Sequence, residues 1–234
     1  MNIKSNKYIL ILFLSTILTS CVAVTTYRAL NAKKVRAERL IYQEKEILLV
    51  PIAHIGEKIF YKSLRDSIIN WKNKNYRIYY EQASKNYQDL DIDSLAADTL
   101  FRKWRKIAGG NLGTREQLSD LNKSLKDKVL QPTWVKLGVD SNDLNADINL
   151  AIMIAKYEDL YGKVHLKDCD LETPIDSVYE CGSPMRNDLL PIVLDLRNKY
   201  VAHLIKNAGD DKIVVIYGAM HMKGIKKLIT EQGK

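Results

Sequence analysis

The sequence predicts an α/β fold, a mixed or largely parallel central sheet flanked by helices, with a mostly helical insertion in the middle. Three observations carry that prediction. Two apolar runs, Ile47 to Pro51 and Ile213 to Tyr217, are continuous rather than alternating, as strands buried on both faces require. A third run, Tyr76 to Tyr80, is aromatic and short. Helical periodicity fills the intervals between them.

Taken in chain order, the first strand is followed by Phe60, Leu64, Ile68 and Trp71, spaced four, four and three apart, which predicts an amphipathic helix. The second strand then leads into an insertion of about 91–166. Within it Thr114 and Gln117 have capping-box spacing, and Asp147 to Tyr161 reads as a helix stopped by Gly162. Asp147 either reaches the site from the insertion or begins that helix, and is read as the helix start. Leu189, Val193, Leu196, Tyr200 and Leu204 form one long stripe ending near Gly209, ahead of the third strand and a last helix. Trp71, Tyr79 and Tyr80 read as packing residues. So do Met220 and Met222, and His203 reads as partly exposed on its helix.

The N-terminus carries an address. Lys4 and Lys7 precede an apolar run, Tyr8 to Leu18, too short to cross a bilayer, which is the form of a signal peptide. It ends in Leu18-Thr19-Ser20-Cys21, similar to the bacterial lipobox, so residues 1–20 are expected to be removed and Cys21 to carry the lipid, palmitate included. The mature chain is then expected to sit on a bacterial membrane through Cys21, periplasmic or at the cell surface. Val22 gives no acidic retention signal.

Loss of Lys4 and Lys7 lowers the formal charge from +8 to +6. Residues 21–45, with Arg28, Lys33, Lys34, Arg36 and Arg39, read as anchor and basic spacer, and 46–234 as one domain. Nucleic acid is an unsuitable partner for a chain outside the cytoplasm with no basic cluster interleaved with aromatics. The same compartment argues against a nucleotide cofactor. Cys169 and Cys181 lie in a turn-rich stretch and are expected to pair in an oxidising compartment; His165 with these two thiols makes an incomplete zinc set.

His54, Glu81 and His221 each follow a predicted strand by a few residues, which puts all three at the carboxyl rim of the sheet, where open α/β folds bind ligands. Two imidazoles and a carboxylate suit Mn, Co or Zn, or acid and base work without metal. Gly-x-Ser-x-Gly, His-Glu-x-x-His and phosphate-loop patterns are missing from the sequence.

The segment Ile213-Val214-Val215-Ile216-Tyr217-Gly218-Ala219-Met220-His221-Met222-Lys223-Gly224-Ile225 resembles a motif of the TraB/Tiki superfamily, in which Gly-x-x-His occurs near each end of the domain. Asp195 to Ala202 is similar to that family's Arg-Asn helix, and Glu81 to the glutamate ending its second strand. The early copy, Ala53-His54-Ile55-Gly56, keeps the histidine but has Pro51 where the family has glycine. A glycine there allows close approach of backbone or a positive φ; proline fixes φ and donates no hydrogen bond. The likeness covers both ends of the mature chain and leaves the helical middle without support. It implies a metal-dependent hydrolase acting on peptides or proteins, with His54 and His221 as ligands, Glu81 as ligand or general base, and Arg197 against developing negative charge. A metal-independent esterase of the erythromycin-esterase type, and a non-enzymatic binding module on the same scaffold, are the alternatives.

Overall fold

The computed structural model describes residues 24–25, 27–82, 94–108, 128–175, 177, 179–182 and 187–231. The signal segment, Cys21, Val22 and the Thr114/Gln117 pair lie outside them. Among the described residues no helix is long and apolar enough to cross a membrane.

Strands β1 (Glu38–Tyr42) and β2 (Lys45–Ile52) form an antiparallel hairpin across Gln43, whose φ of 54° lies in the left-handed region. The sheet therefore begins inside the stretch that reads as spacer. Strand β3 (Ile55–Glu57) pairs with β5 (Lys128–Leu130) in a small second sheet. The main sheet is completed by β4 (Arg77–Tyr80), β6 (Leu144–Asn145) and β7 (Lys212–Gly218) in the order β1-β2-β7-β4-β6. All its neighbours but β1 and β2 run parallel, giving the mixed, largely parallel sheet that the continuous apolar runs predict.

Alternate residues of β2 and β7 feed two cores, which is why neither strand alternates in polarity. Ile47, Leu49, Ile213, Val215 and Tyr217 face α5 (Arg197–Asn207) and α6 (Met222–Thr230). Val50, Ile52, Val214 and Ile216 face α1 (Lys58–Lys72), which buries Phe60, Tyr61, Leu64 and Ile68. Leu64→Ala would cost about 2–5 kcal/mol at this seam. Met222 packs on the first core, Met220 is exposed, and His203 is exposed with Asn207 beside it.

The middle of the chain builds a third core from α2 (Ser94–Ala108), α3 (Leu150–Tyr161) and the stripe through Leu189, Val193 and Leu196. Helix α3 starts three residues later than the sequence suggests: Asn149 caps it, its side chain accepting from the Ile152 N–H at 3.0 Å, and Gly162 with φ 91° ends it. Residues Pro191–Leu196 are π-helical and run directly into α5. That wider winding shifts the helical phase, so Leu196 and Tyr200 serve the third core while Val201, Ala202 and Ile205 serve the sheet. Helix α4 (Asp168–Glu172) lies in the stretch closed by the Cys169–Cys181 disulfide, whose Cα atoms are 5.6 Å apart. Arg102 holds that stretch to α2 by donating to the carbonyls of Asp170 and Thr173, both at 2.6 Å. His165 is exposed.

Pro51 fits its strand for a simple reason. Glu46 and Ile52 direct their backbone groups at β7, which turns the amide position of Pro51 toward β1, and β1 has already ended at the Glu38–Leu49 pair. The proline thus forfeits no ladder hydrogen bond. Its register partner is Tyr217, and Ile52 stands opposite Gly218, so the two histidine segments leave the sheet one residue out of step.

Candidate functional site

Each of the four parallel strands delivers one chemically active side chain at its carboxyl end: His54 after β2, Glu81 after β4, Asp147 after β6 and His221 after β7. Arg197 and Asn198, at the head of α5, close the group from one side.

The centre of the cluster is ionic and almost dry. Arg197 grips Asp147 with a two-pronged bond, Nε to Oδ1 at 2.8 Å and Nη2 to Oδ2 at 2.7 Å, and the Asp147 side chain is fully buried. Nη2 also donates to Glu81 Oε1, and Nη1 donates to the Val193 carbonyl at 3.3 Å. Four of the five guanidinium N–H groups are thereby engaged inside the protein. The second oxygen of Glu81 accepts from the Gly218 N–H, and its backbone carbonyl accepts from the Trp134 indole at 3.1 Å. A Cβ on residue 218 would lie 3.1 Å from that carboxylate oxygen, and the φ of Gly218 is not positive. Close approach is what glycine supplies there.

Burial works to raise Glu81, but the positive charge of Arg197 foremost, together with the Gly218 N–H, outweighs it and holds the carboxyl below its usual range. Burial likewise opposes the charge on Arg197, and the Asp147 and Glu81 carboxylates prevail and raise it above its usual value.

His221 closes the turn after β7 as the residue immediately before α6, and is 4% exposed. Its Nδ1 bonds Asn198 Oδ1 at 2.8 Å; with the amide oxygen accepting, Nδ1 carries the proton and Nε2 keeps its lone pair. Nε2 lies 3.6 Å from Glu81 Oε1, beyond hydrogen-bond range. The ring also meets Tyr217 edge-on at 5.1 Å. Burial pushes the imidazole down to about 4, against the opposing pull of Glu81, so it is uncharged at neutral pH. Asn198 keeps its place because residue 224 has no side chain: a Cβ there would overlap Asn198 Nδ2 and lie 3.1 Å from its Cγ.

Of the residues singled out from sequence, Glu81, Arg197 and His221 come together. His54 is exposed on the same rim, its Nδ1 3.0 Å from Gln131 Oε1. Asp147 does not begin α3; it is an integral part of the cluster, and Asn198 joins it without any mark in the sequence beyond its place after Arg197. The strand that sets Asp147, β6, has two residues and no apolar run, leaving no periodic signal to read.

Comparison with protein-family models, with curated proteins and with solved structures returned no match for this chain. An ionised carboxylate and an imidazole with a free lone pair, oriented through its other nitrogen, are the donor types that a divalent cation takes. Against that, both Glu81 oxygens already accept hydrogen bonds, and among the described residues no group of three or more His, Cys, Asp or Glu is arranged to hold a metal. The fit is of two donors, Glu81 and His221; His54 stands on the same rim, bonded to Gln131.

Proposed function

We propose that the chain is an extracytoplasmic hydrolase of the TraB/Tiki type, anchored through Cys21, that cleaves a peptide or related amide bond with a divalent metal, Mn, Co or Zn. The observation that supports this most is the 3.6 Å gap between His221 Nε2 and Glu81 Oε1. Neither atom carries a proton at neutral pH, and Asn198 and Arg197 fix them from behind. A bound cation would be held by His221 and Glu81, with His54 as a third ligand from the rim, and supplies Lewis acidity and a more acidic water. Within the protein, Arg197 keeps Glu81 ionised and aimed, and Asn198 keeps the lone pair of His221 directed at the gap. With four N–H groups engaged, Arg197 acts through Glu81 rather than on substrate.

The test is elemental analysis and amide hydrolysis of a mixed peptide pool by the full chain purified in detergent, with His221→Ala and Glu81→Ala alongside. Metal and turnover should both fall in each variant; unchanged metal in both would defeat the ligand assignment. A metal-independent esterase, with His221 and Glu81 as acid and base, is the second reading, favoured by the prior engagement of both Glu81 oxygens. Ester turnover that persists in chelator would select it, and affinity for peptide without any turnover would leave a binding module.

A further inference from the structure

A second feature lies away from the sheet rim, on the outer face of α1. Lys33, Lys34 and Lys62 line a shallow groove of about 480 Å³ whose wall includes Ile59 and Asn70, with Asp66 the one carboxylate among the described lining residues. Ile59 is 57% exposed, an apolar side chain in the same lining as the three lysines. The Lys33–Lys34 segment is not loose against the helix. The next residue, Val35, donates its N–H to Ser63 Oγ at 3.4 Å and packs on the core beneath α1.

We infer that this groove is a membrane-facing surface that takes the headgroups of anionic phospholipids, with Ile59 reaching the boundary between headgroups and acyl chains. The inference rests on the reading of Cys21 as the lipid anchor. Charge complementarity selects the occupant, since among the described residues three lysines against one aspartate leave a net positive lining. Reach agrees: Lys33 is twelve residues from Cys21, and even a fully extended chain of that length spans at most ~43 Å. Residues 27–30 are helical and shorten the tether further. An acylated Cys21 thus keeps the groove within about one domain diameter of the bilayer, where each lysine near an anionic surface strengthens binding about fivefold. The consequence is orientation: α1 is held to the membrane, and α5 and α6, on the opposite face of the sheet, are turned away from it.

The experiment uses the full chain, reconstituted in vesicles of phosphatidylcholine with or without phosphatidylglycerol. A fluorophore at Asn70→Cys reports the groove, read by quenching from brominated acyl chains. Quenching should rise on adding phosphatidylglycerol and fall back at raised salt and in K33E/K34E/K62E. Equal quenching in both vesicle types would overturn the inference, and so would a response to a soluble anionic polysaccharide but not to phosphatidylglycerol. The salt arm needs no charge variant, so a K33E/K34E/K62E chain that failed to fold would not rescue the idea. The mass of the N-terminal peptide reports whether Cys21 carries lipid. If it does not, co-sedimentation of the chain with the same vesicles makes the same comparison, and absence of phosphatidylglycerol-dependent binding refutes it.

Discussion

Gly224→Ala should be a substitution whose sign depends on a side chain in a different helix. In α6 the change removes the entropic handicap of glycine and would stabilise an otherwise free helix by about 1 kcal/mol. Here the new methyl group overlaps the Asn198 amide, which is 5% exposed and bonded to His221 Nδ1 at 2.8 Å. To make room the amide must swing, which breaks a buried hydrogen bond and leaves its partner unsatisfied, a cost of about 1–3 kcal/mol. The net effect in the parent chain is therefore between about zero and 2 kcal/mol of destabilisation. In an Asn198→Ala background the obstacle is gone, and the same substitution should stabilise by about 1 kcal/mol. Urea unfolding of the four chains (parent, G224A, N198A and N198A/G224A) measures the coupling, expected at about 1–3 kcal/mol. Nitrogen NMR of His221 should show its tautomer preference weakened in G224A and N198A alike. If G224A stabilises the parent as much as it stabilises N198A, the glycine is not there for the asparagine and the reasoning fails.

Four further substitutions probe other contacts of the fold. Arg197→Met should destabilise by about 3–5 kcal/mol because it strands two buried carboxylates. Asp147→Asn leaves Arg197 paired with Glu81 and should cost less, about 1–3 kcal/mol; urea midpoints in the reverse order would refute the charge assignment. Glu158, bonded first by Lys103 at 2.7 Å and then by Lys163 and the Val164 N–H, is held down to about 2. Its folded-state value lies below its unfolded one, so its contribution is complete above about pH 4.5 and is lost as pH falls toward 2. Glu158→Gln should flatten the stability profile in that window, and an unchanged slope would count against the bond. Cys169→Ser with Cys181→Ser should lower stability by roughly 3 kcal/mol in the chain-entropy model, matched by adding reductant to the parent chain; coincident urea curves with and without reductant would say the bridge carries no such load.

Much of the scaffold was legible because it is written in long, regular signals. The buried strands β2 and β7 appear as continuous apolar runs, and α1 as a stripe with helical spacing. From those strands the positions of Glu81 and His221 at one rim follow. The hairpin strand β1 was not legible, because Glu38, Arg39 and Ile41 are exposed on an edge and give no buried pattern. Nor was the place of Asp147, since β6 is fixed by its neighbour β4 rather than by its own composition. Asn198 shows a third reason: its role depends on the missing Cβ at 224, a relation between two helices that no local pattern contains.

The charge balance of the cluster is not the one that stability alone would select. Arg197 and Asp147 alone would form a closed, neutral, two-pronged pair, as satisfied as a buried ion pair can be. Such pairs are already close to break-even against apolar packing. Glu81 adds a second carboxylate to the same guanidinium, 6% exposed, while the neighbouring His221 is uncharged, so the group carries an excess negative charge in a place poor in water. Stability gives no reason to put it there. The surrounding structure instead works to keep that charge in being: the Gly218 N–H is brought against it, and Arg197 is shared with it. A depressed carboxyl is a weak base, and so is an imidazole near 4, which argues against either acting alone on an unactivated water at neutral pH. The same two groups, both free of protons, are well suited to sharing a positively charged partner between them.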